Sequence, residues 1–86
     1  MQHKEIIEKY NGTLEELAED IGNLRYDSLA KFLLSLHEKL YADSIKDRDA
    51  GRVVLSSYLT SASDEVFSSY QKITYAWAVS EPHMND

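Results

Sequence analysis

One proline, Pro82, and three glycines, Gly12, Gly22 and Gly51, are the only strong backbone breakers in the chain. Everything between them is free to continue as regular structure. The intervening segments are rich in Leu, Ala, Glu and Lys, residues that lose little rotamer freedom in a helix. Apolar positions recur at helical spacing, and no alternating strand pattern persists for more than a few residues. This pattern dictates an all-α fold: a small antiparallel bundle of three to four helices, with long second and last helices, in one domain over residues 1–86.

The helix boundaries follow from local chemistry. His3 to Tyr10 carries Ile6, Ile7 and Tyr10 on one side and is expected to make about two turns, ended by Asn11-Gly12. Residues 1–12 and 81–86 are expected to fray. Thr13-Leu14-Glu15-Glu16 spells a capping box, so a helix begins at Leu14. Gly22-Asn23 interrupts the stripe of Leu14, Leu17, Ile21 and Leu24, which predicts a bend or tight turn. The second long helix is expected from about Leu24 to Ile45 or Lys46, followed by a connection through Gly51 in which Asp47 or Asp49 can cap the next helix. From there to about Ser80 the apolar period passes through Ser61-Ala62-Ser63-Asp64 without a phase shift. One continuous helix is predicted, ended by Pro82.

Helical projection at about 100° per residue gives the second long helix an unusually wide apolar arc. Tyr26, Leu29, Leu33, Leu36 and Leu40 form one stripe, and Ala30, Leu34, Tyr41 and Ile45 flank it. More than one neighbour must contact such a helix. His37 falls inside this arc and is expected to pack in the core or at a subunit interface, with a ring nitrogen bonded to a backbone carbonyl or a tyrosine hydroxyl. The last helix is poor in charge: between Val53 and Ser80 only Asp64, Glu65 and Lys72 are ionised. A chain this short buries only slightly more than about 60% of its unfolded surface, so a homodimeric bundle is expected. Its core or dimer interface would draw on Leu33, His37, Leu40 and Tyr41 from one helix and Leu59, Val66, Tyr70 and Ile73 from the other. Tyr75, Trp77 and Val79, near the end of the last helix, are candidates for contact with a partner protein.

Composition removes several classes of function. A formal charge of -6, from 15 acidic against 9 basic residues, argues against counterion-release binding, so no nucleic acid is expected as a partner. No apolar run approaches the roughly 18 residues a membrane span requires, and Met1 to Glu8 lacks a signal peptide's apolar segment. The expected setting is cytoplasmic. With no cysteine, neither disulfides nor thiolate metal sites can reinforce the fold. No G-x-S-x-G, P-loop or dinucleotide fingerprint is present, and of the three histidines, His3 and His83 lie near the chain ends. Glu15, Glu16, Glu19 and Asp20 read as a solvated helix face whose early acids favour the N-terminal dipole. The function expected is a non-enzymatic interaction module, a small acidic adaptor, regulator or inhibitor with a basic protein partner, and with no cofactor or metal.

One motif supplies an alternative. Asp27-Ser28-Leu29 opens a long helix in a small acidic chain, and Glu19-Asp20-Ile21-Gly22 precedes it. Locally this resembles the attachment motif of acyl and peptidyl carrier proteins. The resemblance implies that Ser28 would carry phosphopantetheine beside Asp27, with the following helix read by partner enzymes. The glycine that the family places just before the motif is replaced here by Leu24-Arg25-Tyr26.

Overall fold

The computed structural model describes residues 3–81. Three α-helices account for its regular structure, and no strand occurs among the described residues: α1 is Leu14–Gly22, α2 is Tyr26–Asp49 and α3 is Val53–Ser80. Their main packing is an antiparallel α2–α3 hairpin. The radius of gyration is 15.5 Å, against about 12 Å for a compact domain of this length, because α3 alone, with 28 residues, is about 42 Å long.

α1 begins where the capping box places it. The Thr13 hydroxyl accepts from the Glu16 amide at 3.0 Å, and the Glu16 carboxylate accepts from the Thr13 amide at 2.9 Å. The helix expected over His3–Tyr10 does not form. That segment contains only a bend and a turn, closed by Tyr10 N–H to the Ile7 carbonyl at 3.1 Å. So short a segment nucleates a helix poorly on its own, and Tyr10 finds a better partner elsewhere. Its ring folds over Gly12, passing 2.7 Å from where a β-carbon would stand, and its hydroxyl donates to Asp20 Oδ2 at 2.6 Å. Gly12 therefore makes room for a side chain and does not serve as a helix end.

The connection between the long helices is tighter than the sequence suggests, since α2 continues through Asp49. Arg52 N–H donates to the Asp47 carbonyl at 2.8 Å and Gly51 N–H to the Arg48 carbonyl at 3.0 Å, the paired bonds of a Schellman ending. Gly51 takes the left-handed conformation this needs, with φ of 86°. Neither Asp47 nor Asp49 caps α3, which has no side-chain cap. Asp47 instead accepts from Arg52 Nε at 2.8 Å, clamping the turn. α3 runs unbroken through Ser61–Asp64, as its apolar period predicts. Pro82, expected to end it, lies outside the described residues, as does His83.

The hairpin seam is built of small and polar residues. Only one apolar residue, Ala30, is buried among the described residues, beside Ser44, Ser56 and Ser63. Ala30, His37 and Ser44 follow one another by heptads along α2, and Ser56, Ser63, Tyr70 and Trp77 do the same along α3. Two matched heptad lines are what a pair of helices with a left-handed supercoil presents at its contact.

Candidate functional site

Two polar clasps hold the seam in register. The Ser56 hydroxyl donates to the Ser44 carbonyl at 2.7 Å. One heptad further from the turn, the Ser63 hydroxyl donates to the His37 carbonyl at 3.0 Å. Each carbonyl still has a second lone pair for its own helix, so the clasps need not break the helical ladder. His37 Nδ1 lies 2.9 Å from the Ser63 carbonyl and 2.8 Å from its hydroxyl oxygen. A carbonyl can only accept, so the Nδ1 position carries the proton and donates across the seam. His37 also sits against Phe67, with ring centroids 4.9 Å apart, and stacks on Tyr41 at 6.4 Å. It is thus a half-buried cross-helix fastener bonded to a backbone carbonyl, one of the two partners its position in the apolar arc suggests.

The remaining residues expected at a core or dimer interface flank this seam. Along an antiparallel pair, positions that precede the seam residues on both helices share a side. Leu33, Leu36 and Leu40 of α2 therefore lie on the same side as Leu55, Leu59, Val66 and Ile73 of α3. Leu40, Leu55 and Leu59 line one open recess rimmed by charges of both signs, Asp43 and Asp47 with Lys39, Lys46 and Arg52, and by His3, which fits that placement. Leu36 and Leu55 are exposed, and Leu33, Leu40, Leu59, Val66 and Ile73 are half-buried. The opposite side carries Tyr41 and Phe67. Tyr70 belongs to the seam itself and, with Ala30 and Trp77, lines a small recess. Leu40 and Leu59 thus share one recess, and on this leucine-rich side Leu36 and Leu55 remain exposed while the other five residues are half-buried.

The three proposed partner-contact residues separate. Tyr75 and Val79 are one turn apart on the outer face of α3 and strongly exposed. Trp77 points toward the other side of the helix and is half-buried, with the Arg25 guanidinium 5.3 Å from its ring centre. Arg25 is itself fixed by two bonds to Asp27, at 2.7 and 2.8 Å. These hold the Asp27 carboxyl below the usual carboxylate range, the side-chain hydrogen bond being the main cause. Lys39 does the same for Asp43, again chiefly by hydrogen bonding. The Tyr10 phenol is pushed up to about 12, first by its hydrogen bond to Asp20.

Ser28 is half-buried in the first turn of α2, and its N–H donates to Asp27 Oδ1 at 2.9 Å. The carboxylates of α1 are partly engaged locally, Glu16 in the capping box and Asp20 with Tyr10. Among the described residues no three His, Cys, Asp or Glu side chains gather as metal ligands would, and no helix is long and apolar enough to cross a membrane.

Sequence reasoning missed two features. The seam serines read as weak polar interruptions, although their heptad spacing opposite Ala30 and His37 was visible. Val54 and Tyr58, strongly exposed at the start of α3, also escaped notice, because attention to the inner stripe passes over the outer face. No protein-family model, curated protein or solved structure matches the chain.

Proposed function

We propose that the chain is a non-enzymatic protein-interaction module whose working surface is the leucine-rich side of the α2–α3 hairpin. The observation that carries this reading is the scarcity of burial: Ala30 is the single buried apolar residue among the described ones, and Leu36 and Leu55 on this side stay exposed, as do Phe32 and Tyr41 on other faces of α2. An apolar face of this kind is a place for an amphipathic helix of another protein, read through anchors one turn apart. The net charge of -6 favours a partner helix with basic flanks and makes association faster at low salt. A second copy of the chain completes the reading, since a hairpin with so small a core gains from pairing. The carrier-like alternative, modification at Ser28, rests on Asp27-Ser28-Leu29 and the Glu19-Asp20-Ile21-Gly22 run before it, and the Arg25–Asp27 pair beside Ser28 already has a structural use.

The test is photo-crosslinking in an extract of the source cells, with the reactive residue at position 36, at position 55, or at position 35 on the solvated side of α2. The reading expects one protein with a basic amphipathic helix from positions 36 and 55, not from 35, and its loss in Leu36→Glu or at high salt. Capture of the chain alone, or equal capture from position 35, would count against it.

A further inference from the structure

The four most exposed large apolar side chains among the described residues are Val79, Tyr75, Tyr58 and Val54, at 75%, 74%, 73% and 71%. All four lie on one face of α3, opposite the seam with α2. Between them on the same face come Ser61, Glu65, Ser68 and Lys72, and the whole line advances in alternating steps of four and three residues. That is a second heptad stripe on the same helix. Its order is nearly the same read from either end: valine, tyrosine, serine, a charge, and then serine, a charge, tyrosine and valine with the middle pairs transposed.

We propose that this outer face of α3 is a homodimer interface, in which two copies pack their α3 helices antiparallel about a two-fold axis between Phe67 and Val66. It rests on the dimer reading above and adds the face, the direction and the register. A two-fold interface requires a surface complementary to itself, and this one is. In antiparallel register Val54 of one copy meets Val79 of the other, and Tyr58 meets Tyr75. Glu65 then meets Ser68, and Lys72 of the second copy lies in the adjacent layer, so each Glu65 carboxylate gains one ammonium and the two-fold axis makes two such pairs per dimer. The ion pairs within the described residues involve neither Glu65 nor Lys72. Parallel packing in register would set Glu65 against Glu65 and Lys72 against Lys72, a like-charge arrangement that costs specificity and stability. The resulting assembly is a four-helix layer with α2 at each edge, and it leaves the leucine-rich side open for another protein.

Cysteine crosslinking reads the register directly, because the chain has no cysteine of its own. Val54→Cys and Val79→Cys are made separately, one with a mass tag, and oxidised alone and as an equal mixture. The expected result is a disulfide-linked heterodimer in the mixture and little product from either variant alone, together with a dimer mass for the unmodified chain by light scattering. Tyr58→Asp with Tyr75→Asp is expected to raise the dimer dissociation constant by about a hundredfold or more, while crosslinking of another protein from position 36 persists. Self-crosslinking of each single variant would overturn the proposal in favour of a parallel pair. A dimer that survives the tyrosine changes but is lost in Leu36→Asp would move the interface to the leucine side. A monomer at millimolar concentration would overturn the dimer reading itself.

Discussion

Ser63 offers the sharpest test of the seam. It is wholly buried at 0% exposure, and its hydroxyl bridges to the His37 carbonyl at 3.0 Å. Ser63→Ala removes that bond while leaving the Nδ1–H bond of His37 to the Ser63 carbonyl intact. A bond of this type contributes about 1 kcal/mol net, and alanine returns up to about 0.5 kcal/mol through better helix propensity. The net loss is therefore about 0.5–1 kcal/mol, a fall in Tm of about 2–8 °C for a domain of this size. Ser35→Ala, on the exposed side of α2, measures the propensity gain alone, and the difference between the two variants isolates the clasp. Ser63→Leu is the harsher change, since it loses the bond and forces a branched side chain between two closely packed backbones. Overpacking costs about 1–3 kcal/mol, giving a total of about 2–4 kcal/mol against a whole-domain stability of about 4–13 kcal/mol. Thermal and urea unfolding followed by circular dichroism at constant protein concentration would show it. If Ser63→Leu were as stable as the parent, the helices would not be held at close range by small residues, and the account of the seam would fail.

Three further outcomes follow from local geometry. Thr13→Ala removes half of the capping box and should cost about 0.5–2 kcal/mol of α1 stability, seen as faster amide exchange in Leu14–Gly22 with α2 and α3 unchanged. Arg25→Met should lose about 0.5–1 kcal/mol of cation–π attraction and change the fluorescence of Trp77, the only tryptophan in the chain; an unchanged emission would mean the guanidinium does not sit over the ring. The Tyr10–Asp20 bond raises the phenol's pKa, so its contribution is complete below the ordinary tyrosine value near 10 and is lost as pH rises through about 12. Ultraviolet titration of the parent minus Tyr10→Phe should show one phenol ionising late, and a difference curve centred near 10 would refute the bond.

Much of this architecture was legible before any coordinates. Sparse glycine and proline, the Thr13–Glu16 box, the break at Gly22-Asn23 and the unshifted period through Ser61–Asp64 each led to an element that forms as expected. What stayed hidden has a common physical cause. Apolar periodicity locates the side chains that avoid water, whereas closely packed helices are centred on the side chains that take least room. The centre of the contact accordingly fell on Ser44, Ser56 and Ser63, with the leucines displaced to its flank. The end of α2 was misplaced because two backbone bonds around Gly51 satisfy the final carbonyls, and aspartates in the last turn do not reveal that. At the outer surface, Tyr75 and Val79 were recognisable by their position, but Trp77 was grouped with them although two residues along a helix face nearly opposite ways. The matching half, Val54 and Tyr58, carried the same spacing signal.

The clamped turn at Gly51 also orders events in time. The Ser44–Ser56 clasp closes the smallest loop of the seam, and the contacts of His37 with Ser63 and of Arg25 with Trp77 each enclose a longer stretch of chain. Since loop closure grows costlier with length and local contacts speed folding, the hairpin is expected to zip outward from the turn. Changes at Asp47, Gly51 or Arg52 should then slow the folding rate. Changes at the Arg25–Trp77 end should leave that rate nearly untouched and hasten unfolding.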